Sequence, residues 1–471
     1  MQRRDDMPRV ADRRLATSPA MRILGRFAAW TLIATGFWYV ANHTLVPGRG
    51  WLEASPQAIS GDEPHYLIEI NSLLTDGDLD LGDQYRAARD GGWQAGGRFR
   101  GLQLDHHTVL FDPATGDAEL WSRVFDWQRR SPCETPGCHG HARVSSRLPA
   151  STTLREAPAH PPGFPMLVAA LLSPLALSPI TLSGGQVEAG VVALQTGFAA
   201  AAVVLTFELA IAAGFGPWGG LAAVLLLLLS PWTAYARSVF SEPLAGLLVV
   251  AGALAHQRRK AALAALALGL AMWIKPPFVL FGAALLLSHL RAKRLRPAAH
   301  TALVMSVVGV ALLVFNLRLA GIPLISGQLG WRWIARPQQL LATLTSSHHG
   351  LLLFAPWVAA GGAALALGVL RADTNAPPGL RDFGWALLPW LLLHMLHGSL
   401  GELCWGPRYW VPWLPVLAVA TLLAWRGYGL RGRVAVVLAV AAGAFATWPA
   451  VLAWPFVWGR PAWVGLEILG G

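Results

Sequence analysis

Charge is scarce in this chain. Only 13% of its 471 residues are Asp, Glu, Lys or Arg, against 54% hydrophobic. A soluble domain carries about 25% charged residues, so an ordinary water-soluble globule is excluded. There is no Walker A phosphate loop, which excludes an ATP-driven pump of that kind. The net charge of +11 invites a nucleic-acid reading, but no DNA- or RNA-binding motif accompanies it. The Lys and Arg fall instead in short tracts between apolar segments, where the positive-inside rule puts them. No pair of broken helices in inverted repeats stands out, which weakens a secondary-transporter reading. The N-terminal apolar run lacks a clean small-residue cleavage site and is long for a signal peptide, so an uncleaved first helix is expected.

What the chain does have is apolar length. Runs near 20 residues, enough to span a bilayer core, recur from Met21 to Trp458. They predict an all-α polytopic membrane protein with about eleven transmembrane helices. The expected organisation is a cytoplasmic tail (1–22), a first helix (23–46) and a large outer loop (47–157). An interfacial Pro-rich segment (158–186) follows, then helices two to seven (187–319), a second outer loop (320–350), helices eight to eleven (351–456) and an outer tail (457–471). Basic tracts at 256–260, 291–296, 371–381 and 426–433 set the orientation, with the N-terminus cytoplasmic. The stretch 163–180 breaks that parity. It is short and interrupted by Pro165, Pro174 and Pro179, and is read as an interfacial or re-entrant helix at the outer surface. The expected location is a bacterial inner membrane.

Acidic residues are unevenly placed. The segment 43–157 holds 16 of the 26 Asp and Glu residues, and only seven follow it. Carboxylate chemistry is therefore expected on the outer side. The main candidate is Gly61-Asp62-Glu63-Pro64-His65-Tyr66-Leu67, where Pro64 suits a helix start. Asp62 and Glu63 could act as a general base, help to bind a divalent cation such as Mg or Mn, or only cap the helix. The run from Asp76 to Asp83 looks like a calcium loop but lacks the terminal Glu, and a solvated turn is the better reading.

Further candidates lie at other turns. His160 opens the Pro-rich segment. Arg237 and Glu242 flank a turn between two helices and could pair with each other or face a polar cavity; ionisable groups at such depth are usually paired or functional. Lys275 precedes two prolines and suits a phosphate, with snorkelling as the bland alternative. His348 and His349 could transfer protons or hydrogen-bond an anion. Arg408 could grip a phosphate in bidentate fashion, or pair with Glu402. Cys133 and Cys138, with His139 and His141, suggest zinc at first glance, but a Cys133–Cys138 disulfide is the simpler reading in an oxidising compartment. Cys404 reads as a buried thiol, and Glu208 as a polar group bonded within the bundle.

In order, these motifs resemble the GT-C superfamily of membrane glycosyltransferases, on the side of the protein O-mannosyltransferase and aminoarabinose transferase-like enzymes (glycosyltransferase family 39 type). The resemblance is carried by Asp62-Glu63-Pro64-His65-Tyr66, His160–Pro165, Ser241-Glu242-Pro243, His349-Gly350-Leu351 and Gly406-Pro407-Arg408-Tyr409. It implies a polyprenyl-phosphate-linked sugar donor and an unidentified acceptor. Asp62 or Glu63 would be the base, and Arg408, Lys275 and Tyr409 would hold the donor phosphate. His65, Tyr66, His160, Arg237, Glu242, His348 and His349 would line the cavity. The stretch 93–127, unusual for the family, is expected to fold over that cavity. Two other classes stand beside this one: a flippase or transporter of lipid-linked glycans, and a non-catalytic membrane scaffold.

Overall fold

The computed structural model describes residues 19–42, 62–82, 84, 107–122, 125–126, 131–132, 155–158, 160–176, 184–321, 336–370, 377–396 and 405–453. Among them the chain is overwhelmingly helical. Helix α1 (Pro19–Asn42) is followed by α2 (Glu63–Thr75) and five short strands. These are β1 (His107–Phe111), β2 (Ala118–Ser122), β3 (Phe125–Asp126), β4 (Ser131–Pro132) and β5 (Arg155–Pro158). The rest is helical: α3 (Gly163–Ala176), α4 (Gly184–Ala212), α5 (Gly216–Leu228), α6 (Pro231–Tyr235), α7 (Glu242–Gln257), α8 (Ala261–Ile274), α9 (Val279–Arg291) and α10 (Leu295–Ala320). Then come α11 (Pro337–Thr345), α12 (Leu351–Phe354), α13 (Val358–Leu370), α14 (Pro378–Arg381), α15 (Gly384–Leu396), α16 (Leu414–Gly427) and α17 (Leu430–Ala453). Two 3-10 turns, Pro276–Phe278 and Arg408–Trp413, join α8 to α9 and open α16.

Four helical segments are long and apolar enough to cross a membrane: Val187–Ala212, Leu295–Ala320, Arg408–Gly427 and Leu430–Trp448. Other expected spans are broken or short. The segment 218–235, expected as one helix, is α5 and α6. Ser230 interrupts it and accepts a hydrogen bond from the Trp232 amide as the cap of α6. The segment 351–370 is likewise α12 and α13, interrupted around Pro356, whose ring nitrogen donates no hydrogen bond. Helix α3 has 14 residues, about 21 Å at 1.5 Å per residue, less than the roughly 30 Å of a hydrocarbon core.

Large aromatics fill the core. Trp232, Trp357, Trp405, Trp413, Phe240, Phe278 and Phe281 are fully buried, while α10 and α17 turn leucines and valines outward. That is the pattern of a bundle in lipid, where the outer surface is apolar too. The small antiparallel sheet β2-β1-β5 and the strand pair β3-β4 are non-helical additions to the expected all-α architecture. The three-stranded sheet sits on the C-terminal end of α10, where Val109, Ala157 and Ala320 form a separate core. Strand β5 then leads to His160.

Asp382 sits in a polar cluster at the far end of α7. It accepts hydrogen bonds from His256 (2.8 Å), Ser288 (2.5 Å) and Arg381 (2.9 Å). Burial alone would raise its pKa, but these hydrogen bonds outweigh burial and hold it at about 2. Glu208 accepts from Trp30 (3.0 Å) and Arg258 (2.5 Å), bonds that tie α4 to α1 and to the end of α7.

A candidate active site of ion pairs at one end of the bundle

Two helices start with the same Glu-Pro pair. Helix α2 begins Glu63-Pro64 and α7 begins Glu242-Pro243. Pro lacks an amide hydrogen that the first helical turn would leave unpaired anyway, and a carboxylate there meets the positive end of the helix dipole. The two starts lie together: the Val239 amide donates to Glu63 Oε1 (2.8 Å), and Tyr66 Oη lies 3.5 Å from Ser241 Oγ. Thr196 and Gln195 of α4 donate to the carbonyls of Ala236 and Phe240 and fix the intervening turn.

Asp62 occupies the cap position of α2 but makes no side-chain capping bond, so capping does not account for it. Its carboxylate pairs with Arg408 Nη2, and His160 Nε2 lies 3.5 Å from its other oxygen. Arg408 Nε also donates to Glu242 Oε1 (2.8 Å), and Lys275 pairs with that same oxygen. Arg408 therefore bridges two carboxylates. Its guanidinium lies 4.0 Å above the Phe240 ring centre, and Tyr409 flanks both cations.

Burial divides the cluster. The side chains of Glu242 and Arg408 are 1% and 4% exposed, while Asp62, His160 and Lys275 keep 15%, 17% and 19%. Glu242 and Arg408 form a floor, and the other three form its more accessible edge.

Local backbone geometry explains the convergence. Lys275 is extended (φ −148°, ψ 120°), as the residue before a proline must be. Gly406 adopts φ +71°, a left-handed conformation open to glycine, and its amide bonds to the His348 carbonyl (2.9 Å). Tyr235 Oη donates to the Trp405 carbonyl (2.6 Å). These bonds hold the turn that delivers Arg408. Gly163, at the start of α3, lies so close to α8 that a Cβ there would stand 2.5 Å from the Trp273 carbonyl oxygen. That approach brings the His160 segment beside Lys275.

Several expectations change. Arg237 and Glu242 do not pair with each other, because Glu242 is taken by Lys275 and Arg408. Lys275 is not a lone cation. Glu63 is wholly buried, away from the edge. His349 is buried, with Nδ1 3.4 Å from the Gly406 carbonyl, and His348 bonds to Ser347 (2.9 Å); both support the Arg408 turn. His65 is buried in α2. The Asp76–Asp83 turn is exposed at Asp76 and Asp78, but Asp80 accepts from the Glu156 amide (3.0 Å) and pins the turn to β5. Cys133, Cys138, His139, His141, Glu402 and Cys404 lie outside the described residues.

Two further groups stand out. Glu69, read in the sequence only as part of a helix, is completely buried, and neither carboxylate oxygen has a hydrogen-bond partner among the described residues. Burial, reinforced by Asp62, pushes its pKa well up. Tyr66 is also held protonated, chiefly by burial and next by Asp62. No group of three or more His, Cys, Asp or Glu among the described residues is placed to hold a metal ion. The carboxylates that could begin such a site already face Arg408 and Lys275.

These features define a helical membrane protein with an ionic site at one end of its bundle. No family model and no curated protein matches the sequence. In fold it is similar to two solved structures of ArnT from Cupriavidus metallidurans. One is bound to undecaprenyl phosphate (14% identity, TM-score 0.48, 91% of this chain and 65% of that one). The other is in the apo state (15% identity, TM-score 0.48, 92% and 66%). The chain thus spans just under two thirds of the length of those proteins.

Proposed function

We propose that the protein transfers a sugar from a polyprenyl-phosphate donor to an acceptor hydroxyl at the outer face of the cytoplasmic membrane. The observation that carries this reading is the site itself: Asp62 on the accessible edge, His160 and Lys275 beside it, and Arg408 tying Asp62 to Glu242 beneath. The orientation is supported by the basic tracts at 256–260, 291–296, 371–381 and 426–433 of the sequence, which the positive-inside rule puts on the cytoplasmic side.

Asp62 is the general base. It takes the proton of the acceptor hydroxyl as that oxygen attacks the sugar's anomeric carbon. The bond from that carbon to the phosphate oxygen breaks, and the polyprenyl phosphate leaves with the electron pair. A single displacement inverts the anomeric centre. Lys275 faces the departing phosphate, where a fixed cation stabilises the developing charge. Arg408, deeper and bound to both carboxylates, positions them. Glu63 is a positioning residue that anchors the 236–241 turn. An apolar groove of about 650 Å³ along α10, lined by Trp273, Val307, Val310, Val314, Phe315 and Arg318, suits the polyprenyl tail. Trp273 stands two residues before Lys275, which would put the phosphate at the site. A transporter would be expected to carry its key ionisable groups near the midplane of several helices, whereas this cluster lies at helix starts.

The test is a transfer assay on protein in lipid nanodiscs with a panel of radiolabelled undecaprenyl-phosphate sugars. Release of undecaprenyl phosphate that Asp62→Asn abolishes supports the reading. Donor binding without turnover in the wild type overturns it in favour of transport or scaffolding.

A further inference from the structure

The ionic site is electrically balanced before any ligand arrives: Asp62 and Glu242 face Lys275 and Arg408. A phosphate arriving beside Lys275 adds negative charge that the four groups together do not offset. Arg237 is placed differently. It lies on the 236–241 turn, whose other members contact the site through Val239, Phe240 and Ser241, just before Glu242 at the start of α7. It is 2% exposed, and its Nε and Nη1 have no hydrogen-bond partner among the described residues. Burial lowers its pKa to about 10, so it remains a cation at neutral pH. Glu69 is another buried group without a hydrogen-bond partner among the described residues, and burial disfavours its charged form. A buried guanidinium left unpaired costs several kcal/mol, about the penalty of desolvating one ion, and such charges are otherwise paired.

We propose that Arg237 is an anion receptor for a phosphate group, binding it through the Nε and Nη1 donors in the forked geometry that guanidinium offers. It deepens the transferase reading by assigning the donor's phosphate charge to a residue outside the balanced quartet. The proposal rests on that reading only for the identity of the phosphate carrier.

The experiment uses the full chain in nanodiscs of zwitterionic lipid. Three probes are titrated against it: undecaprenyl phosphate, undecaprenol and inorganic phosphate. Thermal midpoint and Kd are read for wild type, Arg237→Met and Arg237→Lys. The wild type is expected to be stabilised by undecaprenyl phosphate and not by undecaprenol. Stabilisation by inorganic phosphate as well would show that the headgroup alone suffices; its absence would show that the lipid-borne phosphate is required. Arg237→Met should melt no lower than wild type without ligand, because an uncompensated charge is gone, and should bind undecaprenyl phosphate at least about tenfold more weakly, or about 1.4 kcal/mol. Arg237→Lys, which keeps the charge and loses the fork, should fall between them. Wild-type affinity in both variants overturns the proposal. So does a large loss of ligand-free stability in both, because that marks an internal partner. Phosphate binding without sugar transfer would instead overturn the transferase reading and leave the anion site standing.

Discussion

Asp62 and Glu63 are neighbours with the same charge, yet the fold gives them different tasks. Successive helical residues point about 100° apart. One carboxylate therefore faces Arg408 and the accessible edge, and the other faces the Val239 amide in the interior. Asp62→Asn is expected to fold and to lower transfer by about 10²–10⁴, the usual contribution of a general base. Glu63→Gln retains a carbonyl oxygen for Val239 and should cost far less activity, while Glu63→Ala should lower the melting temperature. Arg408→Lys is expected to behave as a loss, because a single ammonium cannot reproduce two separate contacts to Asp62 and Glu242. Breaking one side of a buried pair typically costs about 3–5 kcal/mol, and thermal melts beside the transfer assay would check this.

Helix starts and helix breaks build the site. Prolines at 64, 243 and 276 fix where three segments begin, and the backbone beside each delivers a charged residue. The close approach of α3 to α8 at Gly163 is a packing requirement with a direct test. In Gly163→Ala the new methyl would press on a backbone carbonyl, which no rotamer change relieves. A cost of about 1–3 kcal/mol, as for an overpacked core, is expected. Transfer should fall as His160 is displaced from Asp62, with Gly197→Ala, where a Cβ meets open space, as the control.

Across the whole molecule, the ionic site and the Asp382 cluster occupy opposite ends of α7, and they should answer to pH separately. Asp382 has a depressed folded pKa, near 2, against about 3.9 for an unfolded Asp. Its contribution to stability is fully present above the unfolded value and is lost as pH falls through the folded one. The melting temperature should therefore drop between about pH 4 and pH 2, and Asp382→Asn should flatten that drop. Asp62 and Glu242, the carboxylates that could hold a divalent cation, are already paired with Arg408 and Lys275. We propose that transfer needs no divalent metal: chelation should leave the rate unchanged, and restoration of lost activity by Mg or Mn would reverse that view.

Composition and apolar length alone fixed the membrane character and the dominance of helix, because a bilayer accepts few other solutions. The residue types of the site were also legible, since a charge at a helix end in lipid stands out: Asp62, His160, Glu242, Lys275 and Arg408 are readable one at a time. Their partnerships were not. Lys275 and Glu242 lie 33 positions apart and Arg408 and Asp62 lie 346 apart, distances over which no local pattern specifies contact. Nor did the sequence separate Asp62 from Glu63, reveal Glu69 as a buried carboxyl without a hydrogen-bond partner among the described residues, or release Arg237 from the pairing with Glu242 that their spacing suggested. Those outcomes depend on which groups are desolvated together, and only the packed tertiary structure decides that.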